Sequence, residues 1–215
     1  MLKKYTKAIA LTNDIIKNLA QKESGKKEIE RILSADIRWA ESLDKKNIWT
    51  VKSGDVCQFE FGKNFQPEMS FEHRGLVIGK NSKMVYVLPI CSYNKSNNQH
   101  IKAYHPIDNP KSKSNFYLLK PSEVPFIKHT SVLKLNDLRS VSAYRILYKQ
   151  KEGHLDIESE IYQNIEQLVM DKYFHRYIYK FKKLEKENLE LKEKNLKLEE
   201  ENQNLLLKIK NITTL

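Results

Sequence analysis

Leu184, Leu191, Leu198, Leu205 and Ile212 recur every seven residues near the end of the chain, and Phe181, Asn188, Asn195, Asn202 and Ile209 recur in step with them. A seven-residue repeat lays one narrow apolar seam along a helix, and such a seam is buried only when another helix lies against it. With leucine at every d position and asparagine at three consecutive a positions, the seam is costly unless the asparagines face each other, as they do across a parallel two-stranded interface. A homodimeric coiled coil through Leu184, Asn188, Leu191, Asn195, Leu198, Asn202 and Leu205 is therefore expected. The same seam would also serve a different protein partner, and a single solvated helix is the plainest alternative.

The centre of the chain follows another rule. From Trp49 it breaks into short runs, WTVKSGDVCQFEF, GLVIGK, KMVYVLPIC, IKAYHPI, NFYLL and SVLKLNDLRSV, rich in β-branched and aromatic residues and bounded by Gly, Pro, Asn and Ser. Such spacing predicts a small, strongly curved antiparallel sheet or barrel. The segment GKNFQPEMSFEH between the first two runs is long for a hairpin, as functional loops often are. Ahead of the strands, residues 4–21 and 27–46 are periodic as helices, the second with Ile29, Ile32, Leu33, Ile37, Ala40 and Leu43 along one stripe. This pair is expected to cover part of the core, with a partner-binding arm as the alternative. The fold class that results is α+β in three segments: 1–48 helical, 49–150 strands, and 151–215 helical and heptad-patterned.

Charge narrows the range of partners. The net charge is +11, and residues 49–150 carry 15 Lys and Arg against 7 Asp and Glu, whereas 151–215 are nearly balanced. A basic middle segment favours an anionic partner such as nucleic acid. The two cysteines, Cys57 and Cys91, lie on separate runs and suit a reducing cytoplasm better than a disulfide framework. The apolar part of the N-terminus is cut by Asn13 and Asp14, too short for a signal, and no run reaches the roughly 18 to 20 residues of a membrane span. A cytoplasmic protein without membrane contact is expected. The six histidines show no ligand spacing, so neither a metal nor another cofactor is expected.

Residues 71–94, FEHRGLVIGKNSKMVYVLPICSYN, read as a hairpin with an arginine at one end and a thiol and a hydroxyl at the other. Antiparallel pairing brings those ends together, which makes Arg74, Cys91 and Ser92 candidate neighbours. Their types suit phosphodiester chemistry. When a ribose 2′-hydroxyl attacks the adjacent phosphate, charge grows on the phosphoryl oxygens, and a fixed guanidinium with a nearby donor stabilises it. Proton transfer requires a further group, for which Glu68, Glu72 and His73 are near in sequence. An arginine before a strand is also a common surface residue, and a cysteine ending an apolar run a common core residue.

The ordered blocks Gly54-Asp55-Val56, His73-Arg74-Gly75-Leu76-Val77-Ile78, Val87-Leu88-Pro89-Ile90-Cys91-Ser92 and Ser131 to Val141 together resemble the MazF/PemK family of toxin endoribonucleases. The resemblance covers residues 50–148 and neither flank. It implies an SH3-like barrel, usually dimeric, which cleaves single-stranded RNA without a metal to give a 2′,3′-cyclic phosphate and a 5′-hydroxyl, and which is restrained by a cognate antitoxin. It assigns Arg74 to the catalytic arginine, Cys91 to the catalytic threonine, Ser92 to the adjacent hydroxyl and Glu68 to the loop glutamate, one residue further from the arginine than usual. Arg139 matches a structural arginine. Gly75 stands where the family has proline, and Asp137 where it has glutamine, adding negative charge beside the expected RNA groove. The segment from 93 to 130 is expected to track RNA through Tyr93, Lys95, Lys102 and Lys113, with Lys111, Lys120 and Lys128 and the aromatics Tyr104, Phe116 and Tyr117, and with His73 and Lys80 of the hairpin. A catalytically inactive nucleic-acid-binding barrel and a gyrase-poisoning toxin of the same fold, like the related CcdB toxins, are the alternatives.

Overall fold

A computed structural model of the chain describes residues 2–23, 25–44 and 48–213, apart from the side chains of 2–5, 8 and 207–213. Lys45 and Lys46 at the end of the second expected helix, and the heptad side chains Ile209 and Ile212, lie outside the described residues. Helices α1 (Leu2–Ala20) and α2 (Gly25–Ser42) precede strands β1 (Asp55–Glu60), β2 (Glu72–Asn81) and β3 (Met84–Ser92). Next come the short helix α3 (Asn98–Ile101), β4 (Phe116–Leu119), β5 (Ser131–Lys134), β6 (Arg139–Ser142) and β7 (Ile146–His154), followed by α4 (Glu160–Tyr173) and α5 (His175–Thr213). The class is α+β, built on a seven-stranded antiparallel sheet. The chain divides into two compact units, 1–166 and 167–215, so the N-terminal helices belong to the same unit as the strands.

Within the first unit the strand order is β4-β5-β3-β2-β1-β7, and β6 also pairs with β3. Among the described residues no pairing joins β4 to β7. β3 is long enough to hold two partners along one edge: Met84 to Val87 pair with β6, and Ile90 to Ser92 pair with β5. The run 131–141, expected as one strand, is thus two strands on a single edge, separated where residues 135–138 turn away from the ladder. The run 101–107 is not a strand. The Asn97 side chain accepts from the Gln99 N–H and starts the turn of α3, and only Tyr104 and His105 make isolated bridges afterwards. β7 is not among the expected strands. It lies at the end of the strand order and carries Lys149, Lys151 and Glu152, the charged composition that protects a sheet edge and hides it from an apolar criterion.

Alternation along the strands divides the sheet into two faces. Cys57, Phe59, Val77, Val85, Val87, Val141 and Ile146 form one buried cluster, with the Phe59 and Phe61 rings stacked at 5.6 Å. Burial pushes the Cys57 thiol up to about 12. Gly75, opposite Cys57, belongs to this packing: a Cβ there would lie 2.4 Å from Val87 Cγ2 and 3.0 Å from the Phe59 ring. The glycine is therefore required by volume, not only tolerated as a change of conformation. Leu76, Leu88, Ile90 and Leu133 are buried on the opposite face, where the Tyr162 hydroxyl of α4 donates to Ile78 O at 3.2 Å.

Two polar clusters hold the edges. Burial raises the pKa of the Asp55 carboxylate, but donation from Lys149 Nζ, the Lys52 N–H and His154 Nδ1 outweighs it, and the net shift is downward. α2 docks through Arg38, which pairs with Glu60 at 2.6 Å and Glu72 at 3.4 Å, and through the exposed pair Lys63–Asp36. Its apolar stripe is used differently from expectation. Ala35 is buried and Ile29 and Ile32 are half-buried, but Leu33, Ile37 and Leu43 are exposed, as are Ile9, Leu11 and Ile15 of α1, so only part of the stripe is covered and ion pairs add to the seating of α2.

In the second unit, α5 is one helix of 39 residues. Leu184, Leu191, Leu198 and Leu205 are 62, 61, 47 and 54% exposed, leaving the seam open along its length. No helix among the described residues is long and apolar enough to cross a membrane.

Candidate active site on one face of the sheet

The register fixes which side chains can meet. Arg74 lies opposite Ile90, and Ser92 lies opposite Ser131, so Arg74, Ser92 and Ser131 project from the same face. Arg74 Nη2 donates to Ser131 Oγ at 3.4 Å, and Ser131 Oγ donates to His129 O at 3.0 Å. The His129 ring returns over the same edge, with Nε2 3.0 Å from Ser92 Oγ. A guanidinium, two hydroxyls and an imidazole thus form one connected group across β2, β3 and the start of β5. Ser92 and His129 are exposed, which leaves this group open to a ligand from solvent.

The neighbouring row extends the face. Gln58 is the register partner of Arg74 on β1, and the exposed Tyr148 is the partner of Gln58 on β7. Gln58 Nε2 donates to Glu72 Oε1 at 3.2 Å, so that carboxylate is held by Gln58 and Arg38.

The segment that carries His129 is tied down on both sides. Tyr93 N–H donates to Thr130 O, Gln150 Nε2 donates to Phe126 O at 2.6 Å, and Val124 and Ile127 are buried. Further back, buried His105 accepts at Nδ1 from the Ile107 and Asp108 N–H groups and donates from Nε2 to the Glu123 carboxylate at 2.9 Å. The end of the hairpin and the segment around Phe126 thus hold the backbone on either side of His129.

Cys91 does not join the group. It alternates with Ile90 and Ser92, pairs with Val132 and packs beside Ala103, Phe116 and Val132 on the other face of the strand. Burial pushes its thiol up, and the charge of Lys134 offsets this only in part. His73, opposite Phe59, is also on the other face; burial, followed by the nearby Arg31, lowers its pKa. Lys80 is exposed at the far end of β2, six residues or about 20 Å along the strand from Arg74.

Glu68 is exposed on the loop between β1 and β2, and that loop is anchored by the last residue of β5 and by residues after it. Asp137 Oδ2 accepts from the Met69 N–H at 2.8 Å, Arg139 Nη1 donates to Met69 O at 3.1 Å, and Lys134 reaches Pro67 O. Asp137 is buried and paired with Arg139 and Lys134. Its charge therefore holds the loop and is not displayed to the groove. Arg139, stacked 5.1 Å above the Phe61 ring, belongs to the same anchor.

The basic segment is divided as well. Lys102, Lys111 and Lys113 line a groove of about 560 Å³ together with Gln99, Asn109 and Asn115, and no acidic residue lines it. Lys95 is exposed outside this lining. Tyr93 packs against the Cys91 cluster, and Phe116 and Tyr117 are buried. Burial pushes the Tyr117 phenol up, and its ring lies 5.7 Å from that of Tyr104. These aromatics build the segment's interior and are not free platforms. Among the described residues no group of three or more His, Cys, Asp or Glu converges to hold a metal ion. No protein-family model matches the chain, and no match to it is found among curated proteins.

Proposed function

We propose that the chain is a metal-independent endoribonuclease of the MazF/PemK-like kind, acting on single-stranded RNA in the cytoplasm and restrained there by a cognate antitoxin. The observation that carries this reading is the connected group Arg74, Ser131, His129 and Ser92 on one sheet face. In the reaction the 2′-oxygen forms a bond to phosphorus and the bond from phosphorus to the 5′-oxygen breaks. Arg74, with the Ser92 hydroxyl, donates hydrogen bonds to the phosphoryl oxygens as their charge grows. His129 takes the 2′-hydroxyl proton, and a proton from solvent at this exposed site completes the 5′-hydroxyl. Glu68 has no role in these steps. The groove lined by Lys102, Lys111 and Lys113 follows the backbone beyond the cleaved bond.

The finer fold reading is an SH3-like barrel. It is supported by the register shifts between Val77 and Gly79 and along the β1–β7 pair, and by β3 carrying two successive partners on one edge, all marks of a strongly bent sheet.

The test is incubation of the purified protein in EDTA with mixed-sequence single-stranded RNA, followed by mapping of the ends, for the native chain, Arg74→Ala and His129→Gln. Cyclic phosphate ends that both substitutions suppress support the reading. Intact RNA across several substrates would overturn it. One observation favours a second reading, an inactive nucleic-acid-binding module: the basic groove is separate in its lining residues from the Arg74 group. In that case RNA stays intact, binding survives Arg74→Ala, and replacing the three groove lysines by alanine flattens the salt dependence, by about 0.7 in logarithmic slope per lost phosphate contact.

A further inference from the structure

The open seam of α5 is flanked by charges whose order says what fits it. With Leu184, Leu191 and Leu198 at d, the g positions are Lys180, Glu187 and Lys194 and the e positions are Glu185, Lys192 and Glu199. In a parallel, in-register pair each g residue meets the e residue five positions further along the other helix. The charged meetings are Lys180 with Glu185, Glu187 with Lys192, and Lys194 with Glu199, each an attraction that occurs twice by symmetry, while the fourth meeting, Glu201 with Leu206, is no ion pair.

The sign alternates from heptad to heptad, which makes this order a register lock. A slip of one heptad brings Lys180 against Lys192 and Glu187 against Glu199 in one direction, and Glu187 against Glu185 and Lys194 against Lys192 in the other. All of these are repulsions. The asparagines act in the same sense. In register, Asn188, Asn195 and Asn202 each face their own copy, whereas a slip leaves one unmatched on each helix and an antiparallel pair sets a against d, placing asparagine amides on leucine. We propose that residues 180–206 form a parallel, in-register, two-stranded coiled coil with a second copy of this chain, specified by the alternating e and g charges and the three asparagine layers.

Two features of the single chain agree with this use. The d leucines stay largely exposed on a continuous helix. Of the ion pairs along that helix, Lys186–Glu190 at 3.8 Å lies off the seam, and Lys183–Glu187 at 3.7 Å engages the g residue Glu187, whose carboxylate is exposed and is shared with or exchanged to Lys192 in the pair. A dimer of this kind carries two copies of the sheet unit, so an RNA long enough to reach both is held with avidity.

Sedimentation of the full-length protein tests the proposal apart from any cleavage. Glu187→Lys sets an ammonium group against Lys192 on each side of the pair and should raise the dimer dissociation constant about tenfold. Lys192→Glu should do the same, and the two changes together in one chain should restore the native constant. Leu198→Cys should form a disulfide-linked dimer on oxidation that the native chain, with its own Cys57 and Cys91, does not form. Circular dichroism checks that the helix persists in each variant. A native protein that stays monomeric at tens of micromolar overturns the proposal, as does a double swap that fails to restore pairing. Because sedimentation does not depend on RNA, either result leaves the ribonuclease reading to its own test.

Discussion

On one side the end of β3 carries the Ser92 hydroxyl, which meets the exposed His129 ring beside Arg74 and the buried Ser131; on the other it carries a half-buried thiol packed against Ala103, Phe116 and Val132. The two regions are one residue apart in sequence, because Ser92 follows Cys91 directly. What separates them is the two-residue period of the strand. On the Ser92 side the polar groups bond to one another; Ser92 and His129 face water, Arg74 is half-buried and Ser131 is buried beneath them. On the Cys91 side burial raises the thiol's pKa and removes it from reach of Arg74. A small polar residue at the end of a strand is thus made into a chemical group or a packing element by parity alone.

The largest effect that would expose this difference is on cleavage. Arg74→Ala should lower the cleavage rate on the order of 10²–10³-fold, as for loss of one donor to a developing oxyanion, with the melting temperature little changed. On the opposite face the corresponding lesion is Gly75→Val, which must displace Val87 or the Phe59 ring. Overpacking of this kind should lower stability by about 1–3 kcal/mol in urea denaturation. If Arg74→Ala instead unfolds the protein, or Gly75→Val leaves stability unchanged, the contrast between the Arg74 group and the packed cluster around Gly75 fails.

His129→Gln should follow with a loss of about 10²-fold, typical of a single proton-transfer group. The fold has an acid response of its own. His73 and His100 both have lowered pKa values, with burial as the first cause. A base whose folded pKa lies below its unfolded value contributes stability that is complete above the unfolded value of 6.5 and is lost as pH falls through the window below it, because the unfolded chain takes up the proton first. Melting temperatures should therefore decline below about pH 6.5. Melting the native chain on both sides of that pH checks this decline.

The two faces also differ in how far they can be read from the sequence. The hairpin is legible because its apolar runs and polar turn are contiguous, and the closeness of Arg74 to Ser92 follows from antiparallel pairing. That Cys91 faces away depends on register, Arg74 opposite Ile90 and not Cys91, and a bulge near Gly79 can shift register without a mark in composition. His129 and Ser131 escape a reading by spacing because they reach the site across β3 from a strand some 40 residues later, a contact that topology alone sets. A structural role for Arg139 is suggested only by the family resemblance, and the role of Asp137 is not legible at all, since its partners Met69 N–H, Lys134 and Arg139 are brought together only by the folded loop. For α2, periodicity marks the helix but not its docking, because the ion pairs of Arg38 to Glu60 and Glu72 link segments more than 20 residues apart.

The smallest effects discriminate most sharply, because the two residues concerned are adjacent and similar in size. Ser92→Ala removes a hydroxyl from His129 and from the phosphoryl position, and should slow cleavage about tenfold with little change in stability. Cys91→Ser keeps the volume but adds a stronger polar group to an apolar enclosure, where an unpaired hydroxyl costs about 1–3 kcal/mol. That substitution should lower the melting temperature and leave cleavage by the folded fraction within about threefold of native, because the side chain does not share a face with Arg74. The reverse pattern, Cys91→Ser altering cleavage strongly while Ser92→Ala does not, would mean that the β2–β3 register in the active protein differs by one residue, since only such a slip would bring residue 91 round to the guanidinium. Measuring both variants by urea denaturation and by initial cleavage rate under one set of conditions therefore tests the register itself, on which every assignment at this site depends.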